Sequence, residues 1–394
     1  MATSMSGTDR SSAPAVSVVM PIYNAEPYLR ESLGSALSQT FGDLEVVCVD
    51  DGSTDGSLAI MREHAARDPR VVIDEGPNGG YGRAMNRGIA RARGRWVAIL
   101  EPDDYLLPTM LATLVPVAEA DDLDLVRADF NRFTTAEDGS RELVRQSICH
   151  GRTELYGRVL DPQGDPDLLN VRMQSWTGLT RTSFLRAHDV RLHETPGARF
   201  QDNGLWLQCY LWAERVEYVR EPFYCHRDDT PGSSTNRADL AMAMLDEWAW
   251  MREVLDAHPE RARALLPTFQ YRKYQNCMFA FTRLADELQL AYAERLGSEL
   301  AAAREAGELE LGMFSAYERE QIALLTSDAE AWVGAYRAER ARRERAAARG
   351  LGFEPPDDAL GRLVYYVRAE GVGAACGHVW SALRRTLGRA ARRG

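Results

Sequence analysis

Three carboxylates stand within four residues at Glu101-Pro102-Asp103-Asp104, directly after the apolar run Trp96 to Leu100. Carboxylate oxygens at a strand's carboxyl end suit a hard divalent cation. Such an ion usually keeps several waters and also ligates substrate phosphates, so this cluster predicts a phosphorylated substrate. The competing role is a solvated turn, with Asp103 or Asp104 capping the helix that follows. Upstream, Pro21, Tyr23 and Asn24 close one apolar run, and Asp50-Asp51 close another.

The elements that must position these groups alternate. Val16 to Ile22, Leu44 to Val49, the shorter Val71 to Asp74, and Trp96 to Leu100 read as buried parallel strands. Between the first two, Leu29, Leu33, Ala36 and Leu37 fall at helical spacing, with Pro27 suited to a first turn. Thr54 or Asp55 can cap a helix through Ala59, Ile60 and Met61. Asn78-Gly79-Gly80 turns into a third helix, where Met85 and Ile89 share a face. This alternation predicts an α/β fold: a mostly parallel, Rossmann-like sheet with right-handed crossovers and flanking helices. Ligands bind such sheets outside the carboxyl ends of the strands, which gathers Tyr23, Asp50, Asp103 and Asp104 along one edge.

Composition narrows the function. The chain has 394 residues, more than the roughly 100–200 of one domain, so several modules are expected. A hydrophobic fraction of 45% supports a sizeable core. The formal net charge of −11 argues against a general nucleic-acid partner. Lys273 is the only lysine, which removes a P-loop. The six cysteines include no CxxC pair, so buried free thiols in a reducing compartment are expected rather than zinc or a redox dithiol. No apolar run approaches the ~18 residues of a membrane span, and residues 1–14 are unlike a signal peptide. A cytoplasmic protein is expected, at most peripheral on the inner face of the plasma membrane. The loop from Asp51 fails as an EF-hand because Arg62 stands at its twelfth position. Gly80-Tyr81-Gly82 fails as a dinucleotide fingerprint because Met85 stands at the last glycine.

Val-Ser-Val-Val-Met-Pro-Ile-Tyr-Asn at 16–24, Val-Asp-Asp-Gly-Ser-Thr-Asp at 49–55, Asn-Gly-Gly-Tyr-Gly-Arg-Ala-Met-Asn at 78–86 and Glu-Pro-Asp-Asp at 101–104 resemble family 2 glycosyltransferases in order and spacing. The resemblance implies a GT-A fold, a nucleotide-sugar donor (UDP-linked), a divalent metal (Mn2+ or Mg2+) and inversion at the anomeric carbon. It implies that Pro21, Tyr23 and Asn24 line the nucleoside pocket, with Tyr23 stacking on the base, and that Asp50 accepts a hydrogen bond from uracil. It further implies that Asp103 faces ribose and metal, that Asp104 ligates the metal, and that Arg83 contacts base or phosphate. Two residues depart here: Glu101 where the family commonly has Asp, and Met85 where it commonly has Arg.

The resemblance continues more weakly beyond a further strand, Leu123 to Phe130, and an irregular stretch at 134–170. Phe200-Gln201-Asp202-Asn203-Gly204 resembles the family's Glu-Asp position, with Gln201 replacing Glu. Asp202 is the candidate base that takes the acceptor hydroxyl proton, or else a helix cap. Trp176 offers either an apolar face to an acceptor sugar or a packed core indole. The stretch from Tyr224 to Ser234 resembles a segment closing over the donor diphosphate, with Arg227 on phosphate, His226 nearby and Gly232-Ser233-Ser234 as a lid.

The expected organisation is a tail at 1–14, a donor half at 15–130, an acceptor half at 131–236, a helical domain at 237–350 and a basic amphipathic end at 351–394. That end, with Arg384, Arg385, Arg389, Arg392 and Arg393 among Val379, Leu383 and Leu387, fits an anionic membrane surface, a solubilising tail or a subunit contact. The expected activity is transfer of a sugar to a hydroxyl of a glycan or lipid-linked acceptor in cell-surface polysaccharide synthesis. The alternatives are a nucleotidyltransferase and a catalytically silent nucleotide-sugar-binding scaffold.

Overall fold

Four parallel strands form where the apolar runs predict them: β1 (Val16–Ile22), β2 (Leu44–Asp51), β3 (Val71–Gly76) and β4 (Trp96–Ile99). In this computed structural model, which describes residues 13–230 and 241–348, β1 lies between β2 and β4, with Val19 opposite Val47 and Ile99. Every residue of β1 and β2 is buried, as continuous β-branched runs require when both sheet faces are covered. The helices α1 (Glu26–Leu37), α2 (Ser57–Arg67) and α3 (Tyr81–Arg91) make the crossovers. Pro27 sits in the first turn of α1. Asp55 accepts from the backbone N–H of Ser57 at 2.9 Å and of Glu26 at 3.0 Å, so one carboxylate caps two helix starts.

Beyond β4 the mostly parallel expectation gives way to a mixed, nine-stranded sheet. The later strands are β5 (Tyr105–Leu106), β6 (Leu125–Phe133), β7 (Val144–Gln146), β8 (Gly178–Arg181) and β9 (Val216–Arg227). Their order along the sheet is β3-β2-β1-β4-β8-β6-β9-β5, with β7 on β6. β8 runs antiparallel to both β4 and β6, and β5 antiparallel to β9. Antiparallel neighbours need no helical crossover, which is how strands of two and four residues enter the sheet. The helices α4 (Met110–Ala120), α5 (Thr182–Ala187) and α6 (Asp202–Trp212) flank it.

The chain forms two compact units. The first contains the sheet and extends to Ala285, with Ala303–Glu310. It therefore takes in α7 (Ala241–Asp256), α8 (Pro259–Ala262) and α9 (Leu266–Phe281), which the sequence had assigned to a separate helical domain. The reason is packing: Trp248 is fully buried edge-on to Phe269, and the α6 glycine Gly204 lies under Trp250 and Glu247. The second unit holds most of α10 (Gln289–Glu305), with α11 (Ala316–Ser327) and α12 (Ala329–Ala348). There Ser315 and Glu318 form a capping box, and Trp332 Nε1 donates to Gln321 Oε1 at 2.9 Å. Cys48, Cys149, Cys209 and Cys225 are free, buried thiols, and Cys277 is buried. The expected lid at 232–234 and the basic end at 351–394 lie outside the described residues.

Candidate active site

The loops after β1 and β2 are stitched together. Asn24, at φ 49, accepts from the Thr54 backbone N–H through Oδ1 at 2.8 Å, and its own N–H donates to Ser53 Oγ. Asp50 is buried at 4% exposure and accepts from the Ser53 N–H at 3.2 Å. Pro21 closes β1 opposite Val49. Beside these groups Tyr23 is 51% exposed, an open aromatic face at the carboxyl edge of the sheet. Asp51 turns the other way and accepts from the N–H groups of Gly79 and Gly80, both at 2.9 Å, fixing the turn into α3. Arg83 crosses Gly79 and is exposed, with no hydrogen bond or ion pair among the described residues. Met85, two positions on, is fully buried. Two residues turn a helix by about 200°, so the arginine and the core methionine serve opposite faces.

At the end of β4 the acidic residues converge. Tyr81 donates its hydroxyl to Glu101 Oε1 at 2.7 Å. Burial holds Glu101 well above the carboxylate range, and the Asp103, Asp104 and Asp202 charges push it further. Burial and Asp104 likewise raise Asp103, although Thr230 Oγ1 donates to its Oδ2 at 2.7 Å. Asp202 opens α6, and burial pushes it up to about 6 against the backbone N–H groups of Asp202 and Asn203 and the pull of His226. Four carboxylates from two elements distant in sequence thus act on one another, Asp104 buried and Glu101, Asp103 and Asp202 half-buried.

Two glycines allow this meeting. Gly80 has φ +89, and a Cβ there would lie 2.3 Å from the Thr195 carbonyl oxygen. A Cβ on Gly82 would lie 2.0 Å from the His193 carbonyl oxygen. The 193–199 loop therefore docks directly on the start of α3, with the Tyr81 N–H donating to Gly197 O at 3.1 Å. Gln201, 1% exposed, ties the loop from inside, accepting from the Arg199 N–H and donating to Thr195 Oγ1 at 2.8 Å and Gly197 O at 3.0 Å. Its amide needs both a donor and an acceptor, which the family's Glu would not supply here.

Three expected contacts are redirected. Asp104 is 1% exposed and accepts from Tyr224 Oη at 2.8 Å, His226 Nδ1 at 3.1 Å and the Arg227 N–H at 2.7 Å. Its carboxylate is committed to joining β4 to β9, so it anchors the site where direct metal ligation was expected. Arg227 is 6% exposed, packed between the rings of Tyr28 and Phe133, and donates to Asp103 O, Thr135 Oγ1 and Glu31 Oε2. Those partners hold the guanidinium away from the role of a free phosphate contact. Trp176 is 7% exposed, with Tyr224 at 4.2 Å, Phe130 at 5.0 Å and His226 stacked at 5.3 Å. It is a packed core indole supporting the Asp104 anchor, in place of the expected sugar platform. Burial lowers the His226 pKa, but Asp104, Asp103 and Asp228 outweigh it and the net shift is upward.

Sequence reasoning missed Tyr81, Tyr224 and Glu247. Tyr224 Oη also accepts from the Glu101 N–H at 3.0 Å, bridging two carboxyl-bearing residues. Glu247 on α7 pairs with His193 Nδ1 at 3.1 Å, and its Oε1 is buried without a partner among the described residues. Burial, then the nearby Asp202 charge, pushes it up to about 8. Folded Glu247 thus stays protonated where an unfolded glutamate, near ~4.3, has ionised. The native state binds more protons across that window, so stability falls as pH rises through it, by on the order of a few kcal/mol. Glu247→Gln should flatten that decline, read as urea midpoints at pH 5 and pH 9.

Residues 17–183 match the family model described as Glycosyl transferase family 2. This segment belongs to glycosyl transferase family 2. The uncharacterized glycosyltransferase EpsJ of Bacillus subtilis is 30% identical over 223 residues, 56% of this chain and 63% of that protein. Glycosyltransferase GlyG of Streptococcus pneumoniae is 25% identical over 255 residues, 62% of this chain and 79% of that protein. The chain spans about three fifths of the length of the first curated relatives it matches. S. aureus TarS, in a structure with UDP-GlcNAc, shares the fold at a TM-score of 0.61, with 19% identity over 87% of this chain and 94% of that one. This likeness extends to the mixed sheet with its flanking helices.

A divalent ion fits the donor set in one particular way. No three His, Cys, Asp or Glu side chains among the described residues form a ready-made metal cage. Magnesium-type ions are usually held by one or two carboxylates together with substrate phosphates and waters. Asp103, crowded by like charges and bonded by one neighbouring hydroxyl, is the carboxylate placed to serve that way.

Proposed function

We propose that this chain is an inverting, metal-dependent glycosyltransferase. It moves a sugar from a UDP-linked donor to a hydroxyl of a glycan or lipid-linked acceptor, in cell-surface polysaccharide synthesis. The observation that carries this reading is the meeting of half-buried Asp202, Glu101 and Asp103 with buried Asp104, beside the Tyr23 edge.

Tyr23 offers its ring to the base, Asp50 accepts from uracil, Pro21 and Asn24 shape the pocket, and Arg83 reaches the base or a phosphate. A divalent ion, when bound through Asp103, would take up charge as the diphosphate leaves. Asp202 takes the proton of the attacking hydroxyl from the face opposite the leaving group. Glu101 and Asp104 position the cluster, the first through Tyr81 and the second through β9. The UDP-GlcNAc complex of TarS supports a uridine donor. Two departures from the family pattern have structural reasons, since Met85 is core and Gln201 ties the 193–199 loop. They give no ground for a silent scaffold. Among the described residues no helix is long and apolar enough to cross a membrane. The basic end at 351–394 would hold a cytoplasmic enzyme against an anionic surface.

The test is thermal stabilisation by a panel of nucleotide sugars with manganese, followed by donor turnover. UDP-sugars should raise Tm by several degrees, less so in EDTA, and should be consumed. No shift with any nucleotide would remove the donor reading, and a shift without turnover would support the scaffold instead.

A further inference from the structure

A second concentration of charge lies about one helical turn along α6 from Asp202, and it is positive. α6 and α9 meet through two side-chain contacts. Asn203 Nδ2 reaches Asn276 Oδ1 at 3.5 Å, and the Arg272 guanidinium lies 6.0 Å from the ring centre of Trp206. Asn276 also reaches Met173, which ties α9 to the stretch carrying Arg172. Arg172 in turn sits 5.9 Å over Phe130 and donates to Ser147 O and Gln146 Oε1. Arg152 and His150 complete the group.

Two of these cations lack counter-charge among the described residues. Neither Arg172 nor Arg272 has a carboxylate ion pair among the described residues, and Arg272 Nε is buried without a partner. Trp206 Nε1 and Ser175 Oγ are likewise buried without a partner among the described residues. Asp129, the carboxylate that acts on Arg172, is already bonded by Arg145, the Tyr156 hydroxyl and the Ile148 N–H. Arg152 alone has an acid partner, the half-exposed Asp167, and such surface pairs contribute little. Burial pushes Arg272 down to about 10, with Arg172 and Arg152 adding to the effect. Burial and the same three arginines push His150 down to about 4. Arg172 and Arg272 are half-buried, and charge held partly out of water without a counter-ion favours an anion.

We propose that Arg272, Arg172 and Arg152, with the free N–H of Trp206, form a subsite for an oxyanion carried by the acceptor, a phosphate or a carboxylate. This rests on the reading of Asp202 as the base, because the subsite would seat the acceptor about one helical turn (~5 Å) along α6 from it. The arginine fork suits a bidentate oxyanion contact. The donor groups lie elsewhere, at the ends of β1, β2 and β4.

The test uses the full chain saturated with UDP and magnesium. Inorganic phosphate and, separately, glucuronate are titrated and Tm is read against sodium chloride of matched ionic strength. One or both should raise Tm by about 2 °C beyond the chloride control. Arg272→Gln should lose that increment and keep the UDP shift. Should Arg272→Gln fold poorly, Arg152→Gln, at the more exposed side, should weaken the increment in the same way. A chloride control that matches both anions, or an increment that survives in both variants, overturns the subsite while leaving the donor reading intact. A phosphate increment seen only without UDP also overturns it, because the anion is then in the donor site. Absence of any UDP shift removes the donor reading, and the acceptor assignment falls with it.

Discussion

Asp202→Asn should cut sugar transfer by about three orders of magnitude and leave UDP binding as in the parent chain, within the 10²–10⁴ range of a positioned general base. The substitution keeps shape and removes only the proton-accepting charge. UDP binding should persist because Tyr23, Asn24 and Asp50 belong to the loops after β1 and β2, held by their own hydrogen bonds. The parent should carry a signature that the variant lacks. Burial places the Asp202 carboxyl at about 6, so the competent carboxylate accumulates as pH rises through that value. kcat/KM for the acceptor should climb between pH 5 and pH 7 and then level. The residual rate of the variant should show no such limb. Transfer near the parent rate, with the limb retained, would remove Asp202 from the role of base.

Asp103→Asn should lower transfer by roughly two to three orders of magnitude, in line with loss of electrostatic stabilisation at a leaving group. It should also abolish the part of UDP stabilisation that depends on added metal. The ligand-free variant should melt no lower than the parent, and we expect it to melt higher. Asp103 is one of four crowded acids, and its charge is among those that raise Glu101. Removing it relieves that repulsion and leaves the Asp104 anchor in place. Greater stability with lost activity is the expected exchange at a site that concentrates like charge. Differential scanning fluorimetry with UDP, with and without manganese, reads both arms. An unchanged metal-dependent shift would show that the ion is held elsewhere.

The β1–β4 part of the sheet was legible because its signals are local. β1 and β2 are unbroken apolar runs, Pro27 marks the start of α1, and Met85 keeps step with Ile89 on the buried face of α3. The part from β5 to β9 was less so. Strands as short as β5 and β8 carry no period, and their pairing is fixed by distant partners such as Tyr105 with Cys225. The same distance explains the redirected side chains. An arginine at the end of β9 looks free in sequence, yet Arg227 is enclosed by Tyr28, Glu31 and Phe133 from far upstream. Asp104 looks like its neighbour Asp103, and it is the hydroxyl, the imidazole and the Arg227 N–H of β9 that separate their roles. Glu247 sits among ordinary helix residues, and nothing local marks its approach to His193.

The absence of a side chain at Gly82 has a wider consequence. With the His193 carbonyl oxygen only 2.0 Å from where a β-carbon would sit, even alanine must lift the 193–199 loop off α3. Gln201 and the proposed base Asp202 would be displaced with that loop, whereas Tyr23 and Asp50 would stay where they are. On the proposed reading, nucleotide capture and hydroxyl activation become mechanically separable at a single bare backbone position. A one-methyl change there should yield a protein that still loads its donor but has uncoupled it from attack.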